Sequence, residues 1–119
     1  MKATKPFNAK SVVGDVAFFD VGDGIVARVT IVRDELATQD AISTLSGLPV
    51  EVCGVETLAA FQRGDREYVG VSVELERDGW KKSGFRRIWS IGVDWRHDNS
   101  PLLNEAAEEV AEWAIAETH

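Results

Sequence analysis

Residues 68–95 read YVGVSVELERDGWKKSGFRRIWSIGVDW, and the way this stretch pairs with itself decides the fold. Val69, Val71, Val73 and Leu75 alternate with Tyr68, Gly70, Ser72, Glu74 and Glu76. A period of two with one apolar set marks a strand with one face in the core and one in water. Asp78-Gly79 is the residue pair that a two-residue type I′ hairpin turn requires. The return run, FRRIWSIGVDW, has Phe85, Trp89, Ile91, Val93 and Trp95 as its stronger apolar face, with Arg87 the odd member. A strict register sets Leu75 opposite Lys82 and turns Phe85, Trp89 and Ile91 away from the valine face. One extra residue, a bulge at Ser83-Gly84, restores the phase and sets Val73 opposite Phe85 and Val69 opposite Trp89.

Working outward, residues 12–21 and 24–33 read as two strands joined at Gly22-Asp23-Gly24, a second hairpin. Residues 34–47 read as a helix with Thr38 at the N-cap and Gly47 as the stop, and residues 48–55 as a short extended piece. A second short helix spans about 56–63 and ends at Gly64. The last element carries the strongest helix signal. Ser100 is set to cap it and Pro101 to occupy its first position. Leu103, Ala106, Ala107, Val110, Trp113 and Ala114 form its apolar stripe, and Glu105, Glu108, Glu109 and Glu112 the opposite, acidic one. The expected architecture is α+β in one domain over 1–119. It has an antiparallel sheet of about four strands, two short helices, and a C-terminal amphipathic helix packed on one sheet face through Leu103, Val110 and Trp113. Residues 1–10 are polar and are expected to be loose, with Phe7 tucked in.

A chain of 119 residues buries roughly two thirds of its unfolded surface, enough for a core. No apolar run approaches the roughly 20 residues of a membrane span. The opening MKATKPFNAK has no apolar segment after it and does not read as a signal peptide. A single cysteine, Cys53, fits a reducing cytoplasm and a buried filler role. Net charge is -7, unevenly spread. Residues 1–76 hold 12 acids and 7 bases, residues 77–93 hold 1 acid and 5 bases, and residues 94–119 hold 7 acids and 1 arginine. One basic hairpin therefore sits between two acidic segments.

That hairpin, with Trp80, Lys81, Lys82, Arg86 and Arg87, has three readings. It can be a charged tip that blunts the sheet against aggregation, a phosphate-and-base contact, or a contact for an acidic protein. The acidic stripe has two readings. It is a solvated face, or a row of carboxylates standing in for phosphates in a nucleic-acid-binding cleft. Catalytic groups are sparse. His119 is terminal, and His97 lies beside Asp98 without a nucleophile. Asp20-Val-Gly-Asp23-Gly lacks the carboxylates of a calcium loop. No metal, cofactor or membrane partner is expected.

YVGVSVELERDG (68–79), WSIGVDW (89–95) and LLNEAAEEVAEWAIAE (102–117) together resemble small proteins without assigned activity encoded by phages, prophages and plasmids. The resemblance covers about half the chain and carries no catalytic residue. It implies a mobile-element accessory protein, and by analogy a host-defence antagonist of the anti-CRISPR or anti-restriction type. Three functions follow as expectations. The first is a non-enzymatic protein that occludes a basic, nucleic-acid-handling host protein through Glu105, Glu108, Glu109 and Glu112. The second is a nucleic-acid binder using the basic hairpin, and the third a structural protein without such activity. A hydrolase or transferase built on His97 and Asp98 ranks last. If Val26, Val32 and Tyr68 share the sheet face left over, a homodimer becomes available.

Overall fold

A computed structural model describes residues 1–53 and 55–118, the side chains of residues 50 and 53 excepted. The buried-filler reading of Cys53 therefore falls outside the described side chains, as does His119. The protein is α+β, and the described residues form six antiparallel strands in one sheet. Strands β1 (Lys2–Lys5), β2 (Val16–Gly22), β3 (Ile25–Arg33) and β4 (Arg66–Arg77) pair in chain order. The far edge of β4 is shared by β5 (Trp80–Lys82) and β6 (Ile88–Asp94). Helices α1 (Glu35–Ser46), α2 (Val50–Cys53) and α3 (Val55–Arg63) lie between β3 and β4, and α4 (Ser100–Thr118) closes the chain.

The β-branched alternation sorts the sheet into two faces. Ala17, Phe19, Ala27, Val29, Ile31, Val69, Val71, Val73 and Leu75 are buried on one face beneath Leu103, Ala106, Ala107, Val110, Ala111 and Ala114 of α4. The helix presents mainly alanines, so it can sit close to the sheet. Leu103 and Val110 fill the interface, each contributing about 1.5–3 kcal/mol by leaving water. The other face carries Val16, Phe18, Val26, Thr30, Val32 and Tyr68, all half-buried. Of the helices, α1 and α3 reach this side near the start of β4, where the Phe61 and Tyr68 rings stack at 6.0 Å.

Both hairpins turn as their residues require. Asp23 and Gly24 have φ of 55° and 73°, and Asp78 and Gly79 have 44° and 81°, the paired left-handed values of a type I′ turn. Arg77 faces Trp80, and the strict register holds as far as Leu75 opposite Lys82.

The return strand differs from the single bulge expected. Residues 83–87 leave the ladder altogether, and Ile88 rejoins it opposite Val71. A second irregularity at Trp89-Ser90 then places Ile91, not Trp89, opposite Val69. Three residues are inserted in total, an odd number, so the phase inverts and Ile91 and Val93 enter the core. Phe85 is buried from the off-ladder segment rather than opposite Val73. Trp89 is 45% exposed and lies on the opposite face across Gly70. A Cβ on Gly70 would come within 2.6 Å of both the Ile88 carbonyl and the Trp89 ring, so this crossing depends on the glycine. Ser90, with φ of 59°, donates its N–H to Asp34 at 2.9 Å.

Four local readings need correction. The opening segment is not loose but supplies edge strand β1, while Phe7 is tucked in as expected, its N–H and C=O both held by the Asn104 amide. Residues 50–53 are helical rather than extended, Val52 N–H closing a turn on Pro49. The N-cap of α1 is Asp34, whose carboxylate accepts from Ala37, while Thr38 uses its hydroxyl to accept the Tyr68 N–H at the end of the β3–β4 ladder. Ser100 is already helical: Asn99 C=O accepts the first helical N–H, from Leu103, and Asp98 accepts from both the N–H and the hydroxyl of Ser100.

Candidate functional site

The acidic face of α4 is built from the end of β6 upward. Asn99 donates to the carbonyls of Asp94 and His97 and accepts the Asp94 N–H, so the helix start is locked onto the strand end. The Ser100 hydroxyl, then its N–H, holds the Asp98 carboxyl below the usual carboxylate range. From this fixed start, Glu105, Glu108, Glu109 and Glu112 all project to solvent. Their spacing of three and four residues sets them about 5–6 Å apart on one stripe. None of the four joins an ion pair or a side-chain hydrogen bond among the described residues. Leu102, 45% exposed, sits three residues ahead of Glu105 and adds an apolar contact at the head of the row. Sequence periodicity put Leu103 in the core and left its neighbour unremarked; a leucine one position off the apolar stripe was the available signal.

The basic hairpin is arranged differently. Trp80 is exposed at the tip. Lys81 stands 3.7 Å from Glu76 and 4.0 Å from Glu74. The Arg86 guanidinium lies 4.1 Å above the Trp113 ring of α4, and Arg87 and Lys82 sit 5.7 Å from the rings of Trp89 and Phe85. Each of these four cations thus has a partner within the protein, and Arg86 ties the off-ladder segment to α4. His97 is well exposed and 3.8 Å from Asp94, while Asp98 serves the helix start, so the two side chains are not joined as a base and its orienting acid.

A third charged group, unread in the sequence, joins α3 to the turn after β6. Arg96 bonds Asp94 and Glu56, Arg63 bonds Glu56 and Asp65, and Arg66 bonds Asp94. Hydrogen bonds from Arg96, then Arg66, hold the Asp94 carboxyl far below the usual range. Arg96, then Arg63, lowers Glu56. These charges are matched in pairs and pin α3 in place. Glu67, buried on the core face, is likewise matched by Arg33 at 3.1 Å and by the Trp95 indole N–H at 2.9 Å.

No family model, no curated protein and no solved structure matches the chain. Among the described residues no helix is long and apolar enough to cross a membrane.

Proposed function

We propose that this chain is a non-enzymatic binding protein that docks the acidic face of α4 on a basic protein surface, such as one that handles nucleic acid. One observation carries the reading: four exposed carboxylates without a cation partner among the described residues stand in one row on a single helix, whereas Glu56, Glu67, Glu74, Glu76, Asp65 and Asp94 each have a cation partner and the other unpaired acids are scattered along the chain. Unmatched like charges in a row repel one another and are relieved by a complementary surface, which they also steer toward the encounter. The rigid anchoring of α4 at both Asn99 and Asn104 supports it, because a preordered row loses little entropy on binding. The resemblance to mobile-element proteins supplies the setting, an antagonist of a host nuclease complex in the cytoplasm. The basic hairpin ranks second as a contact because its cations are engaged at home.

The test is capture from nuclease-treated bacterial lysate by the native protein and by the Glu105→Gln, Glu108→Gln, Glu109→Gln, Glu112→Gln variant. The reading predicts a basic protein retained by the native chain and released by salt. At about 0.2–1 kcal/mol per surface charge, the variant binds roughly 4- to 1000-fold more weakly. Equal retention by the variant overturns the reading.

A further inference from the structure

We infer that the sheet face away from α4 is a homodimer interface, formed by a second copy related by a two-fold axis that runs along the strands between β2 and β3. The argument starts from register. Directly paired residues share a face, so the ladder fixes the rows on this side of the sheet. One row, from β1 to β5, reads Lys2, Asp20, Val26, Glu76, Lys81. The next reads Lys5, Phe18, Arg28, Glu74. A third adds Val16 and Thr30, and a fourth Val32 and Gly70, with the Trp89 ring over the glycine.

An isologous contact requires a surface complementary to itself in reverse. The stated axis lays β2 on the partner's β3 and β1 on its β4. Lys5 then meets Glu74, Phe18 meets Arg28, Lys2 meets Glu76, Val16 meets Thr30, and the exposed Asp20 meets Val26, the one mismatched pair, each contact made twice. The lysine end meets the end where Glu74 and Glu76 already share Lys81, so Lys2 and Lys5 bring a second cation to those two carboxylates, and the central guanidinium lies over an aromatic ring. Lys2, Lys5 and Arg28 are all exposed, and none joins an ion pair among the described residues, although Arg28 lies directly across from Glu74. The half-buried Val16, Phe18, Val26, Thr30 and Val32 form the apolar centre, and aligned sheets pack face to face in this way at about 30°. Four strands at about 4.8 Å spacing give a contact roughly 15–20 Å across. That is at the small end of specific interfaces, so a reversible dimer is expected rather than an obligate one. The acidic face of α4 is on the opposite side and stays available, so the dimer presents two such faces.

The test is sedimentation equilibrium over a concentration series, at low and high salt, on the native protein and two charge-swapped variants. One variant carries Lys2→Glu and Lys5→Glu, the other Glu74→Lys and Glu76→Lys. The native chain dimerises, and 0.5 M salt weakens it at least several-fold. Each variant alone, its fold checked by circular dichroism, is monomeric because like charges meet four times. An equimolar mixture of the two forms a heterodimer, because every swapped charge then meets its opposite. A native protein that stays monomeric up to millimolar concentration overturns the proposal. So do variants that dimerise alone, or a mixture that stays monomeric.

Discussion

Replacing Gly70 by alanine puts one methyl group where β6 crosses β4. The added Cβ would stand 2.6 Å from the Ile88 carbonyl oxygen and 2.6 Å from the Trp89 ring. The carbonyl belongs to the residue that rejoins the ladder opposite Val71, so the strand itself must shift, by most of an ångström. Overpacking of this kind costs about 1–3 kcal/mol. Restricting the unfolded chain offsets about 0.4–1 kcal/mol of that. The expected net loss is about 1–2 kcal/mol, which for a chain of this size lowers Tm by roughly 4–10 °C. Gly92 is the matched control. Its added Cβ would meet the Tyr68 ring at 3.4 Å, an ordinary contact, so Gly92→Ala stays within about 0.5 kcal/mol of the native protein. Differential scanning calorimetry and urea unfolding measure both. A Gly70→Ala protein as stable as the native one, or a Gly92→Ala protein that loses more, would refute the crossing of Trp89 over Gly70.

Two further outcomes follow from the charged groups. Asp34→Ala removes the α1 cap and the acceptor of the Ser90 N–H together, at about 2 kcal/mol, while Asp34→Asn retains part of this; urea midpoints that do not fall in the order native, Asn, Ala would contradict it. The depressed carboxyls of Asp94, Glu56 and Asp98 contribute stability that is complete above the ordinary carboxylate pKa of about 4 and is lost as pH falls below it toward their folded values. The urea midpoint should be level from pH 7 to about pH 5 and then fall. Asp94→Asn should be lower at pH 7 and fall less steeply; an acid limb of unchanged steepness in that variant would show that the carboxyl is not responsible.

What the sequence made legible is what local chemistry decides. The Asp-Gly turns, the alternation of residues 69–75 and the apolar stripe of α4 each follow from a few neighbouring residues, and each stands where it was read. Strand β1 was hidden because KATK is an edge strand with every residue exposed, and an edge of that kind has no apolar alternation to read. The excursion over residues 83–87 was hidden because its causes lie far off in sequence. Arg86 settles on Trp113, and Trp89 is drawn across Gly70. The ion-pair group was hidden for the same reason, Glu56 and Arg96 being 40 residues apart. Of the candidate site, all four glutamates were legible from helical spacing. Their lack of partners was not, because it depends on where every arginine in the fold is spent.

The most direct measurement sets the two charged surfaces against each other in one capture experiment from bacterial lysate, with and without nuclease. The native protein is compared with the four-glutamate Gln variant and with a Lys81→Gln, Lys82→Gln, Arg86→Gln variant. The account predicts a basic protein retained after nuclease treatment by the native and hairpin variants and lost from the glutamate variant. Partners that disappear with nuclease, or with the hairpin substitutions while surviving loss of the glutamates, would contradict it and assign the contact to the hairpin.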